Sequence, residues 1–166
     1  MALIAEEIVE EWLNRQGFFT IRGAKVGLYE ADILAIKPES AGYDARHYEI
    51  TVSHNPIGYI GGNTNARRRN EAEMSEGLEQ WMRKKFLEPK KAALRVSLCP
   101  VDWKFCLVVG KVRHDAERNM LNADTRLSEV IDFNSILTDL ARPPALGFTA
   151  SGAELVQLIH LRDDVS

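Results

Sequence analysis

Two acidic residues in predicted strands are the groups in this sequence best suited to catalysis. Asp32 lies in a run over residues 31–36 that is otherwise apolar, and Glu49 lies in the middle of the next predicted strand. A buried carboxylate is costly unless it is paired or bound to a metal. Two carboxylates on adjacent strands would repel each other, and Mg²⁺ would compensate both while keeping waters for a phosphate substrate. The alternative is that both acids face solvent, paired with Arg46 or Arg22.

One helix and three strands are predicted to position these acids. Apolar residues at helical spacing indicate a helix over residues 2–16, and Gly17 follows it as a stop signal. Strands are predicted at residues 18–22, 29–36 and 46–53, the last from its alternation of apolar and polar side chains. These strands are close enough in sequence to form an antiparallel meander.

The second half of the chain alternates helices and strands. The pattern predicts a long helix over residues 66–87, strands over 94–98 and 104–112, and helices over 127–140 and 151–161. A helix that connects two strands implies that part of the sheet is parallel. The sequence therefore predicts an α/β fold with a mixed sheet.

Composition indicates one domain over residues 1–166, with a core over about 2–112. The chain has 45% hydrophobic and 27% charged residues, which excludes a disordered or low-complexity protein. No apolar run approaches the roughly 20 residues that span a bilayer, and no signal-peptide pattern is present at the start. We therefore expect a soluble, cytoplasmic protein with no membrane partner, in which Cys99 and Cys106 are free buried thiols.

Basic residues are concentrated in one segment. Residues 67–95 contain nine bases and five acids, which gives this segment a charge of +4. Because the net charge of the chain is −3, the remaining residues carry −7. Such asymmetry can mark a surface that faces phosphates. On charge alone, a solvated helix with internal salt bridges explains this asymmetry slightly better.

The arrangement resembles the PD-(D/E)XK, restriction-endonuclease-like nuclease superfamily. The resemblance rests on a helix that ends near Gly17, on Glu30-Ala31-Asp32 in one strand, and on Glu49-Ile50-Thr51 in the next. It covers roughly residues 5–112. It implies a restriction-endonuclease-like mixed central sheet with an αβββαβ core, flanked by helices, and a helical C-terminal extension over about residues 113–166.

The resemblance also implies roles for individual residues. Asp32 and Glu49 match the two acids that bind the metal, and the backbone carbonyl of Ile50 would be a further ligand. The additional acids that it suggests are Glu6 on the first helix, with Glu10 as the alternative, and Glu30 on the strand of Asp32.

Thr51 departs from the family pattern, because it occupies the position of the family's lysine. A lysine there orients the attacking water and offsets developing charge, whereas threonine donates a hydrogen bond without charge. Three explanations are open: the cation has moved to another element, metal ions act without it, or catalysis has been lost. The candidates for a relocated cation, which would also contact nucleic acid, are Arg67, Arg68, Arg69, Lys84 and Lys85.

The function expected from this resemblance is a metal-dependent DNA nuclease that uses Mg²⁺ or Mn²⁺. Asp32 and Glu49 would hold the ion, Thr51 would position water, and the Gly/Asn-rich loop over residues 54–65 would lie beside the DNA backbone. A homodimer is a further expectation, because cutting both strands favours twofold symmetry. The alternatives are an inactive domain of the same fold that binds nucleic acid or a protein, and a small α/β interaction protein whose strand acids are structural.

Overall fold

The computed structural model describes residues 2–52, 70–110 and 115–142, which form a mixed five-stranded sheet flanked by helices. The chain begins with helix α1 (Ala2–Arg15) and strands β1 (Phe19–Val26), β2 (Tyr29–Glu39) and β3 (Gly42–Thr51). Next come helix α2 (Glu71–Met82), a π-helical segment (Arg83–Leu87) and helix α3 (Pro89–Leu98). The remaining elements are strand β4 (Trp103–Val109), helix α4 (Asp115–Ala123), strand β5 (Leu127–Asp132) and helix α5 (Phe133–Leu140).

The strands follow one another across the sheet in chain order, β1-β2-β3-β4-β5. The first three pair antiparallel, whereas β3 with β4 and β4 with β5 pair parallel. Gly27, with φ 63°, occupies the first position of the two-residue turn between β1 and β2, where a left-handed conformation favours glycine. The predicted meander and the predicted mixed α/β sheet are both confirmed.

Each face of the sheet is covered by its own hydrophobic cluster. Tyr48 and Val108 belong to the cluster on one face, which packs against residues of α1 and α5 such as Val9. Leu107 belongs to the cluster on the other face, together with Phe86 of the π-helical segment and residues of α2 and α4. Because alternate residues of a strand point to opposite faces, His47 and Glu49 lie on the second face.

Two predicted elements are wrong in type. Residues 94–98 form the end of α3 instead of a strand, because Pro89 starts a helix whose first turns are good helix formers. Residues 127–132 form β5 instead of the start of a helix: Val130 and Ile131 are β-branched, and the Asp132 side chain accepts from Asn134 N–H to cap α5. The C-terminal region is therefore not purely helical.

The structure confirms several other predictions, and some fall outside the residues that it describes. The first three strands are found, with β1 and β2 extending beyond the predicted 18–22 and 29–36. Cys99 and Cys106 are free and buried, as predicted. The loop over residues 54–65 and the helix over 151–161 lie outside the described residues. Among the helices described, none is long and apolar enough to cross a membrane.

Candidate functional site

Strands β2 and β3 carry Asp32 and Glu49 on the same face of the sheet. Ile33 pairs with Tyr48 in the antiparallel register, so Asp32 and Glu49 occupy the next pair of opposing positions on the two strands. Ile33 and Tyr48 both point into the first hydrophobic cluster, which directs their neighbours to the opposite face. The Ile50 N–H donates to Asp32 Oδ2 at 2.7 Å and ties the two strands together at this point.

Glu49 is a fully buried carboxylate surrounded by donors. Its Oε1 accepts from Lys91 Nζ at 2.6 Å and lies 3.1 Å from His47 Nε2, and its Oε2 accepts from Lys85 Nζ at 2.7 Å. Burial raises its pKa, but the His47 hydrogen bond and the charges of Lys85 and Lys91 outweigh it and lower the pKa to about 2. Glu49 is therefore ionised across the physiological range.

Asp32 has the opposite electrostatic character. Burial and the charge of Glu49 raise its pKa to about 6, although Lys85 and the Ile50 N–H lower it. Within the described residues no group donates a hydrogen bond to its Oδ1. Asp32 thus carries a negative charge that its surroundings compensate only in part.

Helix α1 brings a third carboxylate, Glu6, to the same cluster. Glu6 is nearly buried, and its pKa is raised by burial and by the charges of Glu30 and Glu49, against the lowering effect of Arg22. Glu6 also raises the pKa of Asp32, so the acids repel one another across the site. The structure brings together three acids that the resemblance had suggested.

The other two suggested acids form ion pairs with Arg22 and Lys25. Glu10 lies 3.1 Å from Arg22 Nε and accepts from the Thr20 hydroxyl at 3.0 Å. Glu30 is exposed and lies 3.7 Å from Lys25 Nζ.

The π-helical segment carries Lys85, whose ammonium contacts Glu49. Its Lys85 side chain is 30% exposed, whereas the Glu49 side chain that it contacts is fully buried. The charges of Glu49, Asp32 and Glu6 raise the Lys85 pKa despite burial, so the ammonium keeps its charge. Of the expected relocated cations, Lys85 is at the carboxylates and Lys84 is exposed, while Arg67, Arg68 and Arg69 lie outside the described residues.

Thr51 lies two residues after Glu49 on the same face of β3. Its Oγ1 is buried and has no hydrogen-bond partner within the described residues. A buried hydroxyl without a partner is unusual in a folded protein.

The alternative that both acids face solvent is wrong for Glu49, which is fully buried, whereas Asp32 is partly exposed. Arg46 pairs with Asp44 at 2.7 Å and with Glu129 at 3.1 Å. Arg22 pairs with Glu7 and Glu10 on α1. Neither arginine is the partner of Asp32 or Glu49.

Sequence reasoning missed the three buried donors beneath Glu49. His47, Lys91 and Arg95 are each at most 6% exposed, and Arg95 Nη1 lies 3.0 Å from His47 Nδ1. Lys91 and Arg95 are four residues apart on α3 and therefore share one helix face. The expected strand over residues 94–98 separates Arg95 from Lys91, whereas α3 places them one helical turn apart.

The carboxylates fit a divalent cation in donor chemistry. In the ranges that the structure describes, no group of three or more His, Cys, Asp or Glu is arranged to hold a metal ion. Mg²⁺, however, needs only one or two carboxylates, since it keeps several waters. Among the described residues, no group donates to Asp32 Oδ1 and only Lys85 donates to Glu49 Oε2, and Thr51 is two residues further along β3.

Comparisons with known proteins identify no family for this chain. No protein-family model, no curated protein and no solved structure matches it.

Proposed function

We propose that this protein is a metal-dependent nuclease of the PD-(D/E)XK type that hydrolyses phosphodiester bonds in DNA. The observation that carries the proposal is the cluster of Asp32, Glu49, Glu6 and Lys85 on one face of the sheet. Burial raises the pKa of Asp32 and of Glu6, and repulsion from neighbouring carboxylates raises both further. A divalent cation would offset the negative charge of these acids. Functional sites commonly contain such perturbed groups.

Each residue has a distinct role in this proposal. Asp32 and Glu49 would hold Mg²⁺ or Mn²⁺, with the Ile50 carbonyl and Glu6 as additional ligands. The bound ion would supply an activated water and offset the charge of the scissile phosphate. Thr51 would donate a hydrogen bond from its hydroxyl to a water.

Lys85 provides the positive charge that Thr51 lacks. Its ammonium reaches Glu49 from the segment after α2, so the family's lysine function has moved from the strand to a helix in this proposal. An ammonium has three donors, of which one contacts Glu49 in the structure. Within the described ranges the other two donors contact no acceptor, and the partial exposure of Lys85 would let them reach a phosphate oxygen or a water.

The nucleic-acid surface would lie on the basic segment around the site. Arg83 and Lys84 are exposed on the π-helical segment beside Lys85. Exposed cations of this kind bind phosphates without reading sequence. We include a twofold homodimer in the proposal, which sedimentation of the protein with and without duplex DNA tests.

A cleavage assay with Mn²⁺ on linear, branched and single-stranded DNA tests the proposal. We expect wild type to cleave, and both Asp32→Ala and Lys85→Met to lose at least 100-fold in rate. Glu129→Gln and Lys104→Gln are matched controls, because they remove an acid and a lysine whose salt bridges are to Arg46 and Asp44. Both controls should cleave like wild type.

The second candidate is an inactive domain of the same fold that binds nucleic acid or a protein. The occupation of both Glu49 oxygens by lysines favours it, because a closed ion-pair network can be purely structural. Thr51→Lys distinguishes the two functions. If Lys85 already serves the site, this variant gains no activity over wild type, whereas a gain from an inactive wild type supports the inactive domain.

A further inference from the structure

A continuous series of hydrogen bonds links helix α3 to Glu49. Arg95 Nη1 lies 3.0 Å from His47 Nδ1, and His47 Nε2 lies 3.1 Å from Glu49 Oε1. Lys91 Nζ donates to the same Oε1 at 2.6 Å and to the Lys85 carbonyl at 2.8 Å. Helix α3 is thereby joined to both β3 and the π-helical segment.

The chain of contacts fixes the tautomer of His47. A guanidinium only donates hydrogen bonds, so Nδ1 of His47 must accept from Arg95. In a neutral imidazole the proton then resides on Nε2, from which it is donated to Glu49 Oε1.

Aromatic side chains hold the imidazole and the guanidinium in place. His47 packs edge-on against Phe86 at 5.0 Å and against Phe105 at 6.2 Å between ring centroids. The Arg95 guanidinium lies 5.0 Å from the centre of the Phe105 ring. These contacts leave the buried imidazole little freedom to turn away from Glu49.

The two oxygens of Glu49 have different surroundings. Oε1 is held by two fully or nearly buried donors, His47 and Lys91. Oε2 contacts Lys85, whose side chain is partly exposed. The first oxygen is therefore the anchored one, and the second is the one that can exchange partners with solvent or a ligand.

We propose that His47 is a positioning residue: held in its Nε2-protonated tautomer by Arg95, it anchors Oε1 of Glu49 and so presents Oε2 to the site. The use of that Oε2 as a metal ligand rests on the proposed function. The anchoring itself does not, since it follows from the contacts among the chain's own side chains. Groups that orient metal ligands in this way typically contribute 10–100-fold to metal affinity.

Two variants of His47 separate anchoring from simple packing. His47→Gln keeps one donor and one acceptor, whereas His47→Leu removes both. The experiment uses the full chain and compares crystal structures of both variants, ¹⁵N shifts of the His47 imidazole in wild type, and Mn²⁺ affinity by calorimetry.

We expect the wild-type shifts to report a neutral ring protonated at Nε2. The Glu49 carboxylate should keep its position in His47→Gln and turn away from it in His47→Leu. The Kd for Mn²⁺ should rise 10–100-fold in His47→Leu and less than about 3-fold in His47→Gln. If His47→Leu does not fold, the tautomer and the His47→Gln variant decide the question.

Three results would overturn the positioning role: an imidazole protonated at Nδ1, a Glu49 carboxylate that is unmoved in His47→Leu, or a carboxylate displaced in His47→Gln. Failure of the proposed function looks different. In that case wild type binds no Mn²⁺, while the tautomer and the response of Glu49 to His47→Leu remain as expected.

Discussion

Replacement of Asp32 by Asn is expected to stabilise the folded protein at pH 7. The ionised carboxylate is partly buried beside Glu49 and Glu6, and its pKa is raised to about 6. Asn has nearly the same shape, and its Oδ1 can still accept from the Ile50 N–H. The substitution therefore removes an unfavourable charge and keeps the hydrogen bond between the strands.

The size of the effect follows from the pKa of Asp32. The interval between the ordinary 3.8 and about 6 corresponds to about 3 kcal/mol, at 1.36 kcal/mol per pKa unit. This figure is an upper bound, because the residue is only partly buried and solvent screens its charge. We expect an increase in the free energy of unfolding of about 1–2 kcal/mol for Asp32→Asn at pH 7.

The sign of the pH dependence follows from linkage. Because the folded-state pKa of Asp32 lies above the unfolded value, the folded state binds the proton more tightly, and its stability falls as pH rises from about 4 to above 6. Asn cannot ionise, so the variant lacks this contribution. The difference between variant and wild type should be near zero at pH 4 and reach its full size by pH 7.

Urea denaturation of both proteins between pH 4 and pH 8, without added metal, measures this difference. Asp102→Asn, which removes an exposed carboxylate, is the matched control and should show no such trend. A variant that is less stable than wild type at pH 7, or a difference that does not change with pH, would refute the electrostatic account of Asp32.

Three further substitutions have expected effects on stability that urea denaturation measures. Glu49→Gln should lower the free energy of unfolding by about 3–5 kcal/mol, because it leaves Lys91 buried and unpaired, and adding Lys91→Met should restore part of the loss. Phe86→Ala should cost about 3–5 kcal/mol, because the ring is fully buried. Asn70→Ala should cost about 1 kcal/mol, because it breaks the capping box with Glu73. Effects below 0.5 kcal/mol at the first two positions, or none at Asn70, would contradict these assignments.

The meander and its acids could be predicted from the sequence because period-2 patterns are local. The alternation in β3 decides which face Glu49 takes, and the short connections bring β2 beside β3. The resemblance likewise suggested Glu6 on α1. These local patterns and the resemblance were sufficient to predict that Asp32 lies near Glu49.

The donors beneath Glu49 could not be predicted, because they depend on tertiary contacts. Residues 94–98 contain leucine and valine in a pattern that fits either a strand or a helix, and the helix starts at Pro89, five residues earlier. The expected strand over residues 94–98 contains Arg95 but not Lys91, so the predicted elements do not bring these two side chains together. Similarly, β5 is a strand through its parallel pairing with β4, which no local pattern reports.

Anomalous diffraction from crystals of the full chain soaked in Mn²⁺ tests the central claim most directly, namely that Asp32 and Glu49 share a divalent cation. The account predicts one strong peak bonded to Asp32 and to Oε2 of Glu49, absent from crystals of Asp32→Asn. A peak elsewhere on the molecule, or none while Glu49 keeps its contacts with Lys85 and Lys91, would contradict it.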